Sequence, residues 1–184
     1  MVRIYTCGGD EGDTSLGSGA RVSKTHPQIC AVGDVDELNA VLGLAATTSG
    51  ASQYVEALHQ IQGDLLALGA SLSAIDDDLA KPHITSSRVE GLESLIDQID
   101  GDLPPLNRFV LPGGTRAGAT LQWARSVARR AERSVVELSL PAEGRNEQSL
   151  RYLNRLSDLL FVMARSVNDG AEVEWRPEDD SLGV

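Results

Sequence analysis

Apolar residues recur at three- and four-residue steps through five successive segments, and this period constrains the fold more than any other feature of the chain. The first segment begins near Val32 and carries Val35, Leu38, Val41, Leu42 and Ala45, with Asp34 placed to cap its start. A second, from about Ser52 to Ser73, sets Val55, Leu58, Ile61, Leu65 and Leu68 on one face. The third opens with Ser87-Arg-Val-Glu90, a capping-box pattern, and carries Val89, Leu92, Leu95, Ile96 and Ile99. The fourth spans about 115–139 and stops before Pro141; the fifth, about 147–168, aligns Leu150, Leu153, Leu160, Ala164 and Val167. Asp76-Asp77-Asp78 with Pro82, and Pro104-Pro105, interrupt the pattern where links are needed, and Phe109-Val-Leu-Pro-Gly-Gly114 is a short apolar segment closed by turn residues. Five stripes with short links and no alternating strands can be buried only against one another, which predicts an all-α fold: a single five-helix bundle. Aromatic residues make up only 4% of the 184, whereas Ala, Leu and Val are plentiful, and that balance favours helix packing over a β-sandwich. The chain divides into a glycine-rich N-terminal segment (1–31), the bundle (32–168) and an acidic tail (169–184) that reads mostly as loop.

The N-terminal segment has almost no apolar periodicity. Gly8, Gly9, Gly12, Gly17 and Gly19 stand among Asp, Thr and Ser, so the stretch reads as a loop with many free backbone N–H groups. A loose tail would look the same. With the hydroxyls of Thr6, Thr14 and Ser15 and the amine of Lys24, however, such a loop also makes a sensible phosphate cradle. It is neither a P-loop nor a Rossmann fingerprint, because GxxxxGK[ST] and GxGxxG are both absent.

A second cationic feature lies on the fourth helix. Arg125, Arg129 and Arg133 repeat at four-residue spacing, so their guanidinium groups share one side, and Glu132 interrupts the stripe. In a chain of formal net charge -11 this row suits either a polyanionic ligand or a solvated face with intrahelical ion pairs. The overall acidity argues against nucleic acid or an anionic membrane as partner. Cys7 and Cys30 have no CxxC spacing, which argues against a zinc site; a disulfide between them is open, and two thiols in a reduced cytosol is the simpler reading. The start Met1-Val-Arg3 lacks the apolar run of a signal peptide and no segment approaches a membrane span, which together point to a soluble, cytoplasmic protein.

On the fifth helix Asn154 and Asp158 share a face beside Leu153 and Leu160, where partly buried amides and carboxylates need partners, and the arginines of the fourth helix could supply them. A polar boundary strip is the plainer reading. Glu56-Ala-Leu-His59 has the spacing used by di-iron bundles, but neither His26 nor His83 has a glutamate three residues before it. No protein-held metal site is therefore expected, and His59 reads as a boundary histidine. Neither a Ser–His–Asp nor a Cys–His arrangement stands out.

Three separated blocks, in order and together spanning most of the chain, resemble the PduO-type ATP:cob(I)alamin adenosyltransferases. The first is Ile4-Tyr-Thr-Cys-Gly-Gly-Asp-Glu-Gly-Asp-Thr14, followed by Arg21-Val-Ser-Lys24 and Gly33-Asp-Val-Asp-Glu-Leu-Asn39. The second is Phe109-Val-Leu-Pro-Gly-Gly114 leading to Ala124-Arg-Ser-Val-Ala-Arg-Arg-Ala-Glu-Arg133. The third is Tyr152-Leu-Asn-Arg-Leu-Ser-Asp-Leu-Leu-Phe161. The resemblance implies a ferritin-like five-helix bundle assembled as a homotrimer with active sites between subunits. It implies transfer of the 5′-deoxyadenosyl group of ATP to cob(I)alamin, with Mg²⁺, giving adenosylcobalamin and triphosphate. A cob(II)alamin reductase and an adenosylcobalamin-dependent enzyme are implied as transient partners. Thr6, Gly8, Gly9, Thr14, Ser15 and Lys24 match the family's phosphate-binding positions, and Arg129, Arg130, Glu132, Arg133 and Asn154 its nucleotide positions. Asp36 and Arg125 match a pair used across the subunit interface, and Phe109 matches the aromatic residue that helps remove cobalt's lower axial ligand. The family usually has Lys or Arg followed by Thr where this chain has Cys7-Gly8, which leaves Lys24 and the helix-four arginines to compensate. A non-catalytic corrinoid carrier or nucleotide sensor on the same bundle is the competing reading.

Overall fold

Proline sets where the bundle begins. In the computed structural model, which describes residues 4–5, 7–17, 19–73, 83–138, 145–169 and 172–176, helix α1 runs Pro27–Ala46. His26 caps it, its Nδ1 accepting the Gln28 N–H at 3.3 Å. Proline's fixed φ and missing N–H suit a first turn. The helix therefore starts ahead of the apolar period, because Ala31 is its first buried residue. Asp34 lies inside α1 and does not cap it.

A 3-10 turn, Ser49–Tyr54, leads into α2, Val55–Ser73, and takes up the expected start at Ser52. Helix α3 runs Ser86–Gly101 from a Thr85 cap that makes no side-chain cap bond, so Ser87 and Glu90 sit within the helix and form no capping box. Helix α4 spans Arg116–Glu137 and α5 Arg145–Asn168. The acidic link at Asp76–Asp78, Pro82 and Pro141 lie outside the described residues.

Helix α4 sits between α1 and α5, α2 flanks α1, and α3 packs on α5. Small buried residues on α4 (Ala117, Gly118, Ala124, Ala128, Ala131) let its neighbours approach. Leu38, Leu42, Leu58, Leu65, Leu121, Leu153 and Leu160 are fully buried between the helices. Each such side chain contributes about 1.5–3 kcal/mol by leaving water. Polar contacts tie α2 to its far neighbours: Tyr152 Oη on α5 donates to Asp64 Oδ2 at 2.9 Å, and Arg88 on α3 meets Asp64 Oδ1 at 3.4 Å. Burial first, then the Asp64 charge, raise the Tyr152 pKa, so the phenol keeps its proton as donor. Beside this trio α2 and α3 leave a cleft of ≈ 540 Å³ that holds none of the candidate site residues.

The segment before α1 is not wholly loop. Strands β1, Asp13–Ser15, and β2, Arg21–Ser23, pair antiparallel with Thr14 opposite Val22. Gly19, at φ +85°, closes the connection with its N–H on the Leu16 carbonyl at 2.9 Å. Leu16 is buried, Gly17 N donates to Ser73 O at 3.1 Å and Gln28 Nε2 donates to Leu72 O, so the hairpin docks on the C-terminal end of α2. Three-residue strands with one half-buried position each carry too little alternation to read from sequence. Among the described residues no helix is long and apolar enough to cross a membrane.

Candidate functional site

The glycines of the N-terminal turn hold two cations over its backbone. Cys7 adopts φ +57° and Gly12 φ +90°, folding residues 7–12 into a turn closed by Gly12 N on Gly9 O at 3.2 Å and Lys24 N on Gly12 O at 2.8 Å. Lys24 lies so near Gly9 that a Cβ there would meet its Nζ at 3.2 Å. Arg21 reaches across the hairpin, donating from Nη2 to Gly8 O at 2.6 Å and from Nη1 to Ser15 Oγ at 3.4 Å. Gly8, Gly9, Ser15 and Lys24 thus belong to one cluster, with Thr14 on the adjoining strand. Thr6 lies outside the described residues. Arg21 is a cation that the sequence reading quoted in a motif without giving it a role; its alternation with Val22 in β2 is the signal that places it beside Ser15. The guanidinium that reaches Gly8, the residue after Cys7, thus arrives from the opposite strand.

Helix α4 sorts its arginines by face. Arg130 points to α1, bonding Asp34 Oδ1 at 3.2 Å and Glu37, and Ser134 Oγ donates to Asp34 as well. The Glu37 hydrogen bond is the main cause that raises the Arg130 pKa. Its guanidinium, expected among the nucleotide positions, is paired within the chain. Arg125, half-buried, donates from Nε to Gln122 Oε1 at 2.7 Å; burial first, then the neighbouring Arg129 charge, lower its pKa. Arg133 Nη1 donates to the Arg129 carbonyl at 3.0 Å, and both side chains are exposed. Among the described residues no carboxylate forms an ion pair with Arg125, Arg129 or Arg133. The face is solvated at Arg129 and Arg133, but the described residues give it no intrahelical ion pairs.

Asn154 on α5 takes Glu132 out of the stripe. Its Nδ2 donates to Glu132 Oε1 at 3.0 Å and its Oδ1 accepts from Arg155 Nη1 at 2.8 Å, while Arg155 Nε donates to Glu93 on α3 at 2.9 Å. The amide is thereby held in one orientation at the α4–α5 seam. Asp158, expected beside it, is exposed. Asp36 is exposed on α1, and Arg125 bonds Gln122, not Asp36. Glu56 and His59 are both exposed, and among the described residues no group of three or more His, Cys, Asp or Glu side chains is placed to hold a metal.

The third group is the loop before α4. Phe109 is 79% exposed and stands outside the bundle core. The loop's shape comes from Asn168, the last residue of α5. Its Oδ1 accepts from Thr115 N and Thr115 Oγ1, each at 2.9 Å, and its Nδ2 donates to Gly113 O at 3.0 Å. Thr115 in turn caps α4 by accepting Gly118 N–H at 3.0 Å. Gly114 has φ +91°, and a Cβ at Gly114 or Gly118 would collide with the Asn168 amide. Residues 172–176, read as tail, pair with this loop: Val110 bridges Glu174, Trp175 N donates to Phe109 O at 2.7 Å and Leu111 N to Val173 O at 2.8 Å. Asn168 and Trp175 went unseen in the sequence because their partners are distant in it.

A helical bundle that carries an arginine row with no carboxylate on it among the described residues, an amide held at the α4–α5 seam and a glycine turn beside two cations, with neither P-loop nor Rossmann fingerprint, fits the class of helical nucleotide-binding transferases. The family profile described as cobalamin adenosyltransferase matches residues 4–167, and the chain belongs to that family. It is 42% identical over 193 residues to a corrinoid adenosyltransferase of Mycobacterium leprae, covering 96% of this chain and 97% of that one. With a cobalamin adenosyltransferase of Cupriavidus metallidurans it shares 45% identity over 185 residues, 98% of each chain. A solved variant of a PduO-type ATP:corrinoid adenosyltransferase from Lactobacillus reuteri, complexed with cobalamin and ATP, superposes with a TM-score of 0.87 at 32% identity, over 95% of this chain and 97% of that one.

Proposed function

We infer that this chain transfers the 5′-deoxyadenosyl group of ATP to the cobalt of cob(I)alamin. The Co(I) electron pair forms a bond to C5′, the C5′–O bond breaks, and triphosphate leaves with that bond's electrons. No proton moves, so no catalytic Ser, Cys or His is required. The protein's work is orientation and neutralisation of a departing polyanion. The observation that carries this reading is the unpaired row on α4: Arg129 offers a planar donor fork with no carboxylate already on it among the described residues. Arg133 extends the row, Arg125 is its half-buried end, and the Asn154–Glu132 pair fixes an amide and a carboxylate beside it for the nucleoside. Gly8, Gly9, Ser15, Lys24 and Arg21 supply amides and cations for the phosphates.

In one chain these two groups share no hydrogen bond or ion pair among the described residues, which supports a homotrimer in which the N-terminal turn of one copy closes over the α4–α5 face of the next. Asp36, exposed, and Arg125, bonded to no carboxylate, are suited to pair across that boundary. Mg²⁺ is held by one or two carboxylates and substrate phosphates rather than by an all-protein cage, and among the described residues no group of three or more His, Cys, Asp or Glu side chains converges. The ion would enter on the triphosphate with its own water ligands, and no step here runs through it. Phe109 stands clear of the bundle and serves to exclude the lower axial ligand of the corrinoid, an apolar side chain acting on the cofactor-like substrate's electronics. A reductase that supplies the electron and an enzyme that accepts adenosylcobalamin are the transient partners of such a reaction. The exposed, unpaired thiols of Cys7 and Cys30 support a cytoplasmic setting.

The direct test mixes purified protein, ATP, Mg²⁺ and chemically reduced cob(I)alamin, and follows the corrinoid spectrum while triphosphate is assayed. Adenosylcobalamin and triphosphate in equal amounts are expected. Binding of both substrates without product, in an assay where a known adenosyltransferase turns over, would instead identify a corrinoid carrier or nucleotide sensor.

A further inference from the structure

Two of the chain's few aromatic rings meet at a place that the reaction chemistry alone does not explain. Phe109 and Trp175 stand edge to face, ring centroids 6.3 Å apart and planes at 61°. They are cross-strand neighbours: the bonds Trp175 N to Phe109 O and Leu111 N to Val173 O flank the Val110–Glu174 bridge. Side chains alternate across such a ribbon, so Phe109, Leu111, Val173 and Trp175 share one face. That face is open to solvent, with Phe109 79% and Trp175 49% exposed. Arg108 and Glu174, an ion pair at 3.7 Å, lie on the other.

The ribbon is bolted to the bundle by a charge that the mechanism does not use. Arg165 on α5 is buried, and its guanidinium reaches Glu172 Oε1 at 3.2 Å, Asp100 Oδ1 at 3.5 Å and the Pro104 carbonyl at 2.6 Å. A buried guanidinium is costly unless its donors are filled. Here they are filled from both sides of the ribbon: by the α3 exit that leads into the Phe109 loop, and by Glu172, which opens segment 172–176. We propose that Trp175 is a positioning residue for Phe109, and that segment 172–176, anchored through Glu172 to Arg165, holds the Phe109 loop in place. Trp175 fixes which face Phe109 presents to the corrinoid by contact with its edge, and the paired backbones fix how far the ring projects.

This inference rests on Phe109 excluding the lower axial ligand, and the experiment separates the two. Phe109→Ala, Trp175→Ala, Trp175→Phe and the parent are each assayed from cob(II)alamin, with reduced flavin as one-electron donor, and from prereduced cob(I)alamin. The fraction of bound Co(II) that is four-coordinate is read by its electron paramagnetic resonance and absorption signatures with ATP present. Trp175→Ala is expected to lower the four-coordinate fraction and to slow the Co(II)-started rate about three- to tenfold, the range an aromatic pair contributes. The Co(I)-started rate should hold within about twofold, and Trp175→Phe should restore both readouts. A parent-like four-coordinate fraction in Trp175→Ala, alongside a depleted one in Phe109→Ala, overturns the positioning role. A parent-like fraction in Phe109→Ala overturns the role of Phe109 itself. Should Trp175→Ala not fold, Trp175→Leu carries the same comparison, since it keeps apolar bulk without a ring edge.

Discussion

Arg129 and Arg130 are adjacent in the chain and opposite in circumstance. One residue step turns a helix by about 100°, and that rotation separates a structural cation from a free one. Arg130 faces α1 and closes on Asp34 and Glu37. Arg129 faces outward in the row with Arg125 and Arg133, where no described carboxylate reaches it. The same side chain in the same helix thus ties α4 to α1 in one case and stays exposed, with no described carboxylate on it, in the other. Residue type carries no role here; the partner across the seam does. Three carboxylates at the helix seams have partners of their own: Asp34 and Glu37 are held by Arg130, and Glu132 by Asn154.

Substitutions at the two arginines test that distinction. The largest effect is expected from Arg129→Ala, which should cut adenosylcobalamin formation about 100- to 1,000-fold, the scale for losing a preorganised donor to developing charge. Its thermal midpoint should stay near that of the parent, because the side chain is exposed and forms no ion pair among the described residues. Activity within about twofold of the parent would end the leaving-group assignment. Arg130→Ala should do the reverse, costing about 1 kcal/mol for its half-exposed ion pairs and lowering the midpoint by about 2–4 °C in a domain this size. An unmoved midpoint with turnover abolished would make Arg130 a ligand residue and collapse the distinction. The smallest effect separates them most cleanly. In double-mutant cycles with Asp34→Asn, Arg130→Ala should couple by about 0.5–1 kcal/mol of unfolding free energy, and Arg129→Ala should add independently. Equal coupling in the two cycles would show that the seam does not sort the arginines.

Much of this was legible in the sequence, and the gaps have physical reasons. Leu38, Leu58, Leu65, Leu121 and Leu153 announce their helices because burial of one stripe enforces a period. Where burial is absent the period is silent: the first turn of α1 before Ala31 and the hairpin at 13–23 both escaped. Asp34 looked like a cap because it precedes the apolar run, yet Pro27 and His26 had already started the helix. On α4 the four-residue spacing of Arg125, Arg129 and Arg133 placed them together correctly. That Arg130 turns inward depended on Asp34 and Glu37, whose distance in sequence hides the contact. The glycines at 113 and 114 read as a turn, which they are. Their cause, the Asn168 amide occupying the space of a side chain, belongs to the end of a helix more than fifty positions away.

Asn168 has one more consequence. Helix α5 carries Asn154 at the α4–α5 seam and Asn168 under the Phe109 loop, about four turns and roughly 21 Å apart. A helix does not stretch, so it acts as a ruler between the α4–α5 seam and the loop that carries Phe109. One residue inserted between them would swing Asn168 by about 100° and withdraw it from Thr115 and Gly113. Relatives of this protein should therefore differ in length at the links between helices and keep this interval constant, even where the residues within it change.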